Sequence, residues 1–244
     1  DTIGNEELDL RYDAEMPAII YRVFEKLGIG DFVIRINNRK VLGGFFAALG
    51  LSDKIEDILR ILDKIEKIGK EAAVSELVAL GVSADKTDTI IDFITSDGDC
   101  EQILAKLRAM SIENETYTSG VSELAAVTEY MRMFGMPEDS FRIDLTIARG
   151  LDYYTGTVYE TQIKAHPEFG SVCSGGRYDN LTGYYTDKKL PGIGISIGLT
   201  RLFSQLLASG LIAPKTGRIA RVLLLPMDGS AVPSAVSAAT KLRG

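Results

Sequence analysis

The run Ile147 to Glu160, IARGLDYYTGTVYE, constrains this chain more than any other stretch. Before it, Phe141, Ile143, Leu145 and Ile147 alternate with Arg142, Asp144 and Thr146. After it, Val158 and Tyr159 lead into Thr161-Gln162-Ile163. Alternation at period two marks half-buried strands. Gly150 and Gly156 mark bends between them. An arginine and two adjacent tyrosines at such a bend suit a small charged, aromatic ligand. A plain β-hairpin whose tyrosines fill a core edge fits the same residues, since aromatic side chains are common at strand ends.

Two further stretches bear on that choice. Cys173 to Leu181 reads CSGGRYDNL, and Pro191 to Leu202 reads PGIGISIGLTRL. With RGLDYYTGTVYE, in this order and spacing, they resemble the histidyl-tRNA synthetase family. RGLDYYTGTVYE resembles that family's first histidine-binding signature and GGRYDNL its second. GIGLTRL resembles the third signature of class II aminoacyl-tRNA synthetases. The resemblance covers roughly residues 1–211, with a less diagnostic middle.

Composition bounds the alternatives. The chain has 244 residues, 45% of them hydrophobic and 25% charged, as in ordinary globular proteins. No apolar run reaches the ~18–20 residues of a membrane span, and no membrane partner is expected. The acidic start, DTIGNEELDL, has no apolar core and is not read as a signal peptide. It also lacks a starting methionine, so a piece of a longer protein is expected. Cys100 and Cys173 lie far apart, pointing to a reduced, cytoplasmic protein without disulfides. A net charge of -7 argues against a generally basic nucleic-acid surface, but leaves room for a local basic patch. The single histidine, His166, sits in a Pro- and Gly-punctuated turn. One histidine and two distant cysteines make neither a catalytic histidine system nor a zinc site, and no metal ligand is assigned.

In chain order, a helix ends at Gly28, with Pro17 near its start or kinking it, and Asp31 to Asn37 reads as a strand. Asn37-Asn38-Arg39 then caps a segment running from Lys40 to Leu49. From Leu51 to Met110 the chain becomes a series of amphipathic helices separated by Gly69, Gly81 and Asp97-Gly98. Ser122 to Phe134 reads as another helix. Phe169 to Ser174 and Gly192 to Gly198 read as strands, and Leu199 to Ala208 as a helix. Pro214 to Gly217 is a linker, and RVLLLP, Arg221 to Pro226, suits a buried parallel strand.

The glycines of Gly192 to Gly198 have the outline of a dinucleotide fingerprint. Strict alternation with Ile193, Ile195 and Ile197 instead sets them inside a strand, on one bare face. In CSGGRYDNL, alternation separates Tyr178 from Arg177 and Asp179, which read as an ion pair.

The resemblance implies the rest. The fold expected is α+β and class II synthetase-like: a largely antiparallel sheet flanked by helices, with a helical insertion and the start of an α/β C-terminal domain. Residues 1–50 and 120–212 would form part of the catalytic domain, 51–119 the insertion, and 218–244 the start of the anticodon-binding domain. The implied activity is histidine–tRNA ligation, with ATP and Mg²⁺, through a histidyl-adenylate in a homodimer, with histidine and tRNA(His) as partners. The family's roles fall on Arg149 as the catalytic residue at the phosphates. Tyr153, Tyr154, Tyr178, Gly175 and Gly176 fall to histidine binding, and Arg201, Gly194 and Gly198 to ATP. Forming the adenylate needs no proton acceptor, because the carboxylate is already ionised, which suits a chain so poor in histidine. The first two class II signatures are absent from these residues, so the chain alone is expected to be inactive, with Phe32, Ile34 and Ile36 on an unpaired sheet edge. The rivals are the synthetase-like regulatory subunit of ATP phosphoribosyltransferase and, on residues 51–110 alone, a helical interaction module.

Overall fold

A computed structural model describes residues 1–148, 153–213 and 221–243, apart from the side chains of Thr182 and Tyr184. The chain divides into two compact units, Asp1–Gln205 and Leu206–Gly244.

The first unit is built on strands β1 (Thr2–Ile3), β2 (Phe32–Asn38), β3 (Phe141–Ile143), β4 (Thr157–Ile163), β5 (Cys173–Tyr178) and β6 (Gly192–Ile197). Their order in the sheet is β1-β6-β5-β4-β2-β3. Every pairing is antiparallel except β2 with β3. The expectation of a largely antiparallel sheet therefore holds. The expectation of an unpaired edge at Phe32, Ile34 and Ile36 does not. β2 lies inside the sheet, with Ile34 opposite Phe141 on one side and Thr161 on the other. Distant segments supply both neighbours, which no local pattern announces.

Helices α1 (Arg11–Leu27) and α2 (Arg39–Ala48) flank β2 in sequence. Gly28 closes α1 at φ 62°, where its N–H bonds back to the carbonyls of Phe24 and Glu25. Pro17 lies inside α1 and is buried. The Asn38 side chain caps α2 by accepting from the Lys40 N–H. Helices α3 (Ile55–Leu62), α4 (Ile65–Ile68), α5 (Lys70–Ala79), α6 (Ala84–Ile94) and α7 (Cys100–Ala109) make the helical middle. α8 (Glu115–Met133) starts seven positions before the expected Ser122, because Asn114 caps it through the Tyr117 N–H. It crosses α2 closely. A Cβ on Gly44 would lie 2.4 Å from the Tyr117 nitrogen, and one on Gly120 would lie 2.6 Å from the Val41 nitrogen.

The expected strand at Phe169 begins only at Cys173. Pro167 to Phe169 instead make a 3-10 turn that ends at Gly170, at φ 65°. α9 is Leu199–Ala208. In the second unit, Asp228 caps a 3-10 turn at Gly229–Ala231 that leads into α10 (Val232–Arg243). The Val222 to Leu225 run forms no strand, and Leu223 is 77% exposed. A parallel strand needs a ladder partner, and the described residues of this unit contain none.

Candidate functional site

Register separates two faces of the sheet. Residues directly opposite in antiparallel strands share a face. Arg35, Glu160, Ser174 and Ser196 therefore line up across β2, β4, β5 and β6. So do Asn37, Val158, Gly176 and Gly194, with Tyr178 opposite Gly192 at the next step. The other face carries Ile34, Ile36, Tyr159, Cys173, Gly175, Arg177 and Ile193. It is the face α1 covers, since the Tyr159 hydroxyl donates to the Asp13 carbonyl of α1.

On the first face lies a cavity of about 530 Å³, lined in part by Tyr153, Tyr154, Tyr178, Ser174 and Ser196. The glycines are bare because aromatic rings and a carboxylate occupy the space. A Cβ on Gly192 would lie 2.2 Å from the Tyr178 ring. On Gly176 it would lie 3.0 Å from the Tyr154 ring. On Gly194 it would lie 1.4 Å from the Asp1 carboxylate. Tyr153 and Tyr154 sit ring to ring at 4.3 Å. Burial, joined by a bond from Tyr153, holds the Tyr154 hydroxyl well above the ordinary phenol range. Burial also raises Tyr178. Both stay neutral near pH 7, and a neutral phenol can donate to a ring nitrogen or accept from a ring N–H.

The structure thus brings Tyr153, Tyr154, Tyr178, Gly176 and Gly194 to one site. Gly175 belongs to the opposite face, where a Cβ would meet the Gly194 carbonyl at 2.1 Å and Ile195. This departs from grouping it with the histidine-binding residues, and strand alternation is the reason. Arg201 stands apart from the cavity lining. Its Nη2 donates to the Phe169 carbonyl at 2.8 Å, while the side chain stays exposed. Gly198 is held nearby by its N–H to the Val172 carbonyl. Arg149 lies outside the described residues, as do Gly150, Leu151 and Asp152. The Asn37 amide donates to Ile147 O and the Arg39 guanidinium to Ala148 O.

Sequence reasoning missed Asp1, whose carboxylate shares the cavity with the tyrosines. The signal was indirect: a strand with one bare glycine face must receive something there. It also passed over Arg35, which is 2% exposed and central on the same face. Arg35 Nε donates to Asp144 at 2.8 Å, and Nη2 to Glu66 at 2.5 Å and to Thr146 at 2.8 Å. Nη1 lies 3.7 Å from Glu160. Burial raises the Asp144 carboxyl, but Arg35's charge and bond outweigh it, so the group sits below its ordinary value. Glu66 comes from α4, so the helical middle reaches the sheet here.

Behind the site, the expected Arg177–Asp179 pair is present at 3.1 Å. Asp13 of α1, fully buried, adds a second carboxylate at 2.8 Å from Arg177. Among the described residues no three His, Cys, Asp or Glu side chains gather to hold a metal ion. No described helix is long and apolar enough to cross a membrane.

Comparison with known proteins bears on the family. The model of the histidyl-tRNA synthetase family matches residues 1–202. A histidine–tRNA ligase of Clostridium tetani is 49% identical over 244 residues, covering 100% of this chain and 55% of the relative. The crystal structure of histidyl-tRNA synthetase from Nostoc sp. PCC 7120 superposes with a TM-score of 0.87 at 47% identity, covering 99% of this chain and 57% of that one. An ATP phosphoribosyltransferase regulatory subunit/histidyl-tRNA synthetase from Bacillus halodurans C, at 18% identity and a TM-score of 0.66, shares the fold. The chain spans about half the length of the curated relatives it matches. On the family match, the identity and the tyrosine cavity together, this chain belongs to the histidyl-tRNA synthetase family.

Proposed function

We propose that the protein carrying this chain joins histidine to tRNA(His), activating histidine with ATP as an adenylate. The observation that supports this best is the cavity itself: neutral phenols at Tyr154 and Tyr178 with the Asp1 carboxylate, over a floor of glycines. The phenols suit the two ring nitrogens of imidazole. Such groups go unpaired with an apolar competitor, which is a strong form of discrimination. Asp1, an acid in this cavity, suits the ammonium of the same ligand. The Tyr153 ring packs at a tilt against Tyr154.

Arg149, four residues before Tyr153 in sequence, is proposed for the phosphates. A fixed guanidinium there would stabilise charge that grows on the phosphoryl oxygens. Arg201, with Gly194 and Gly198, is proposed for ATP. A carbonyl partner holds the Arg201 guanidinium without cancelling its charge, leaving a planar cation for an adenine ring or a phosphate. Mg²⁺ would arrive with the ATP phosphates as part of that substrate. A cytoplasmic homodimer is proposed from the family resemblance, and 51–119 as its insertion.

Histidine-dependent ATP–pyrophosphate exchange at the relatives' full length tests this reading. Tyr178→Phe should raise the histidine requirement by a factor equivalent to about 1–3 kcal/mol, with the ATP requirement unchanged. Arg149→Ala should slow exchange by at least about a hundredfold. Exchange independent of histidine, or unaltered in both variants, would remove the assignment.

A further inference from the structure

Tyr154 and Tyr178 rest directly on glycines, with no side chain between ring and strand. Tyr154 stands just before β4 with its ring on Gly176 of β5, and Tyr178 ends β5 with its ring on Gly192 of β6. The spacing of the two hydroxyls therefore depends on how β4 sits against β5, a ladder that side-chain bonds on the far face brace. Arg177 Nη1 donates to Asp13 Oδ1 at 2.8 Å, and its Nη2 to the Leu8 carbonyl at 2.8 Å. Its Nε donates to Asp179 Oδ1 at 3.1 Å. Thr157 Oγ1 donates to Asp13 Oδ2 at 2.7 Å. Thr155 Oγ1 donates to Asp179 Oδ2 at 2.5 Å, and the Thr155 N–H to the Arg177 carbonyl at 2.8 Å.

The pattern alternates along both segments. Thr155, Thr157 and Tyr159 bond backwards, as do Arg177 and Asp179, while Tyr154 and Tyr178 face the cavity. Both oxygens of Asp13 are used, one for β4 and one for β5. Its backbone carbonyl takes the Tyr159 hydroxyl. Keeping a carboxylate fully buried is costly: burial lifts its pKa to about 6 against the pull of Arg177 and Thr157. A structural pair could be replaced by packed apolar groups at little cost. An acid that spans two strands directly behind two cavity residues has a second use.

We infer that Asp13 is a positioning residue for Tyr154 and Tyr178, acting through Arg177 and Thr157 to set the distance between the two hydroxyls. The inference rests on the cavity being the histidine site. It predicts a selective effect, because Arg201 and Gly198, proposed above for ATP, lie outside the lining of the tyrosine cavity. A misplacement of about 1 Å can cost on the order of a hundredfold at a reacting centre, and a smaller loss is expected for binding.

The test is calorimetric titration of histidine and of ATP into the protein at the relatives' full length. Asp13→Ala is expected to raise the histidine Kd by about tenfold, while the ATP Kd moves by less than about twofold. Asp13→Asn keeps one acceptor oxygen and should fall between Asp13→Ala and wild type. Thr157→Val, which removes one bond and keeps the shape, should shift histidine binding in the same direction. Should Asp13→Ala fail to fold, the Asn and Val variants decide alone. Equal weakening of histidine and ATP, or unchanged histidine binding in folded Asn and Val variants, would overturn the inference. Wild type that binds no histidine would remove both the site reading and the inference. Wild type that binds histidine without exchange would remove the ligase reading only, and the variants would still decide the role of Asp13.

Discussion

The two faces of the sheet each bury an arginine among carboxylates, and they do so for different neighbours. On the helix-covered face, Arg177 meets Asp13 and Asp179, with the Leu8 carbonyl completing its bonds. On the cavity face, Arg35 meets Asp144, Glu66 and Glu160. A simple division would give one face to stability and the other to ligands. Arg35 does not obey it. It is 2% exposed, deeper than Arg177's side chain at 13%. Among the described residues, the cavity opens on the β5–β6 half of this face. The β2–β3 half is closed by the Asp144 loop and by α4. Coverage, more than which way a strand residue points, decides whether a polar group serves the fold or the site.

The sharpest way to break that comparison is Arg35→Ala. It would remove the buried cation beside Asp144 and Glu160, leaving Asp144 with Arg142 and Thr146, a loss on the order of 3 kcal/mol. Urea unfolding of wild type and variant measures it. A loss below about 1 kcal/mol would mean that water reaches the cluster, and that the cavity face is open along its whole width.

A second effect, on the order of 3 kcal/mol, separates the two arginine sites by pH. Asp13 binds its proton more tightly folded than unfolded, its pKa being raised from 3.8 to about 6. Its contribution is therefore present in full below pH 4, and is lost as pH rises through about 6. Asp144 is shifted the other way. It stabilises above the unfolded carboxylate pKa and loses that contribution as pH falls through its lowered value. Unfolding free energies of wild type and Asp13→Asn across pH 4 to 7 isolate the first group. The advantage of wild type over the variant should shrink with rising pH. An advantage that grows would show that Arg177 dominates over burial at Asp13.

These groups also show what could be read from one dimension. Tyr178 was legible because it sits in a short alternating motif, and alternation translates directly into a shared face. The Arg177–Asp179 pair was legible for the same reason. The adjacent Tyr153 and Tyr154, which alternation would set apart, were reached through the resemblance of their motif. Gly175 was assigned to the site along with Gly176 through the resemblance of their motif, whereas successive register positions set the two glycines on opposite faces. Asp1 carries no periodic signal. Asp13 sits on one helix, and its partners lie 144 and 164 positions away on separate strands. Arg35 and Asp144 are 109 positions apart. β2 was expected at an edge because the absent signatures would cost the sheet its strands, yet both of its neighbours come from distant segments of this chain. RVLLLP read as a buried strand on composition, yet a ladder requires a second strand that composition cannot supply.

The smallest effect concerns the far end of the Arg35 cluster. Glu66 lies 2.5 Å from Arg35, but its side chain is 54% exposed. Its short distance invites a large energy, while its exposure argues for a small one. Water already solvates the carboxylate in the folded state, so neutralising it loses little Coulomb energy. Arg35 keeps Asp144, Thr146 and Glu160 in any case. Glu66→Gln retains an acceptor oxygen and should cost at most about 1 kcal/mol. The same urea titration measures it, now compared with Arg35→Ala and a Glu66→Gln/Arg35→Ala double variant. If the two changes add, α4 merely rests on the sheet. If Glu66→Gln alone costs well over 1 kcal/mol and the cycle shows strong coupling, the helical middle is a structural part of the closed half of the cavity face.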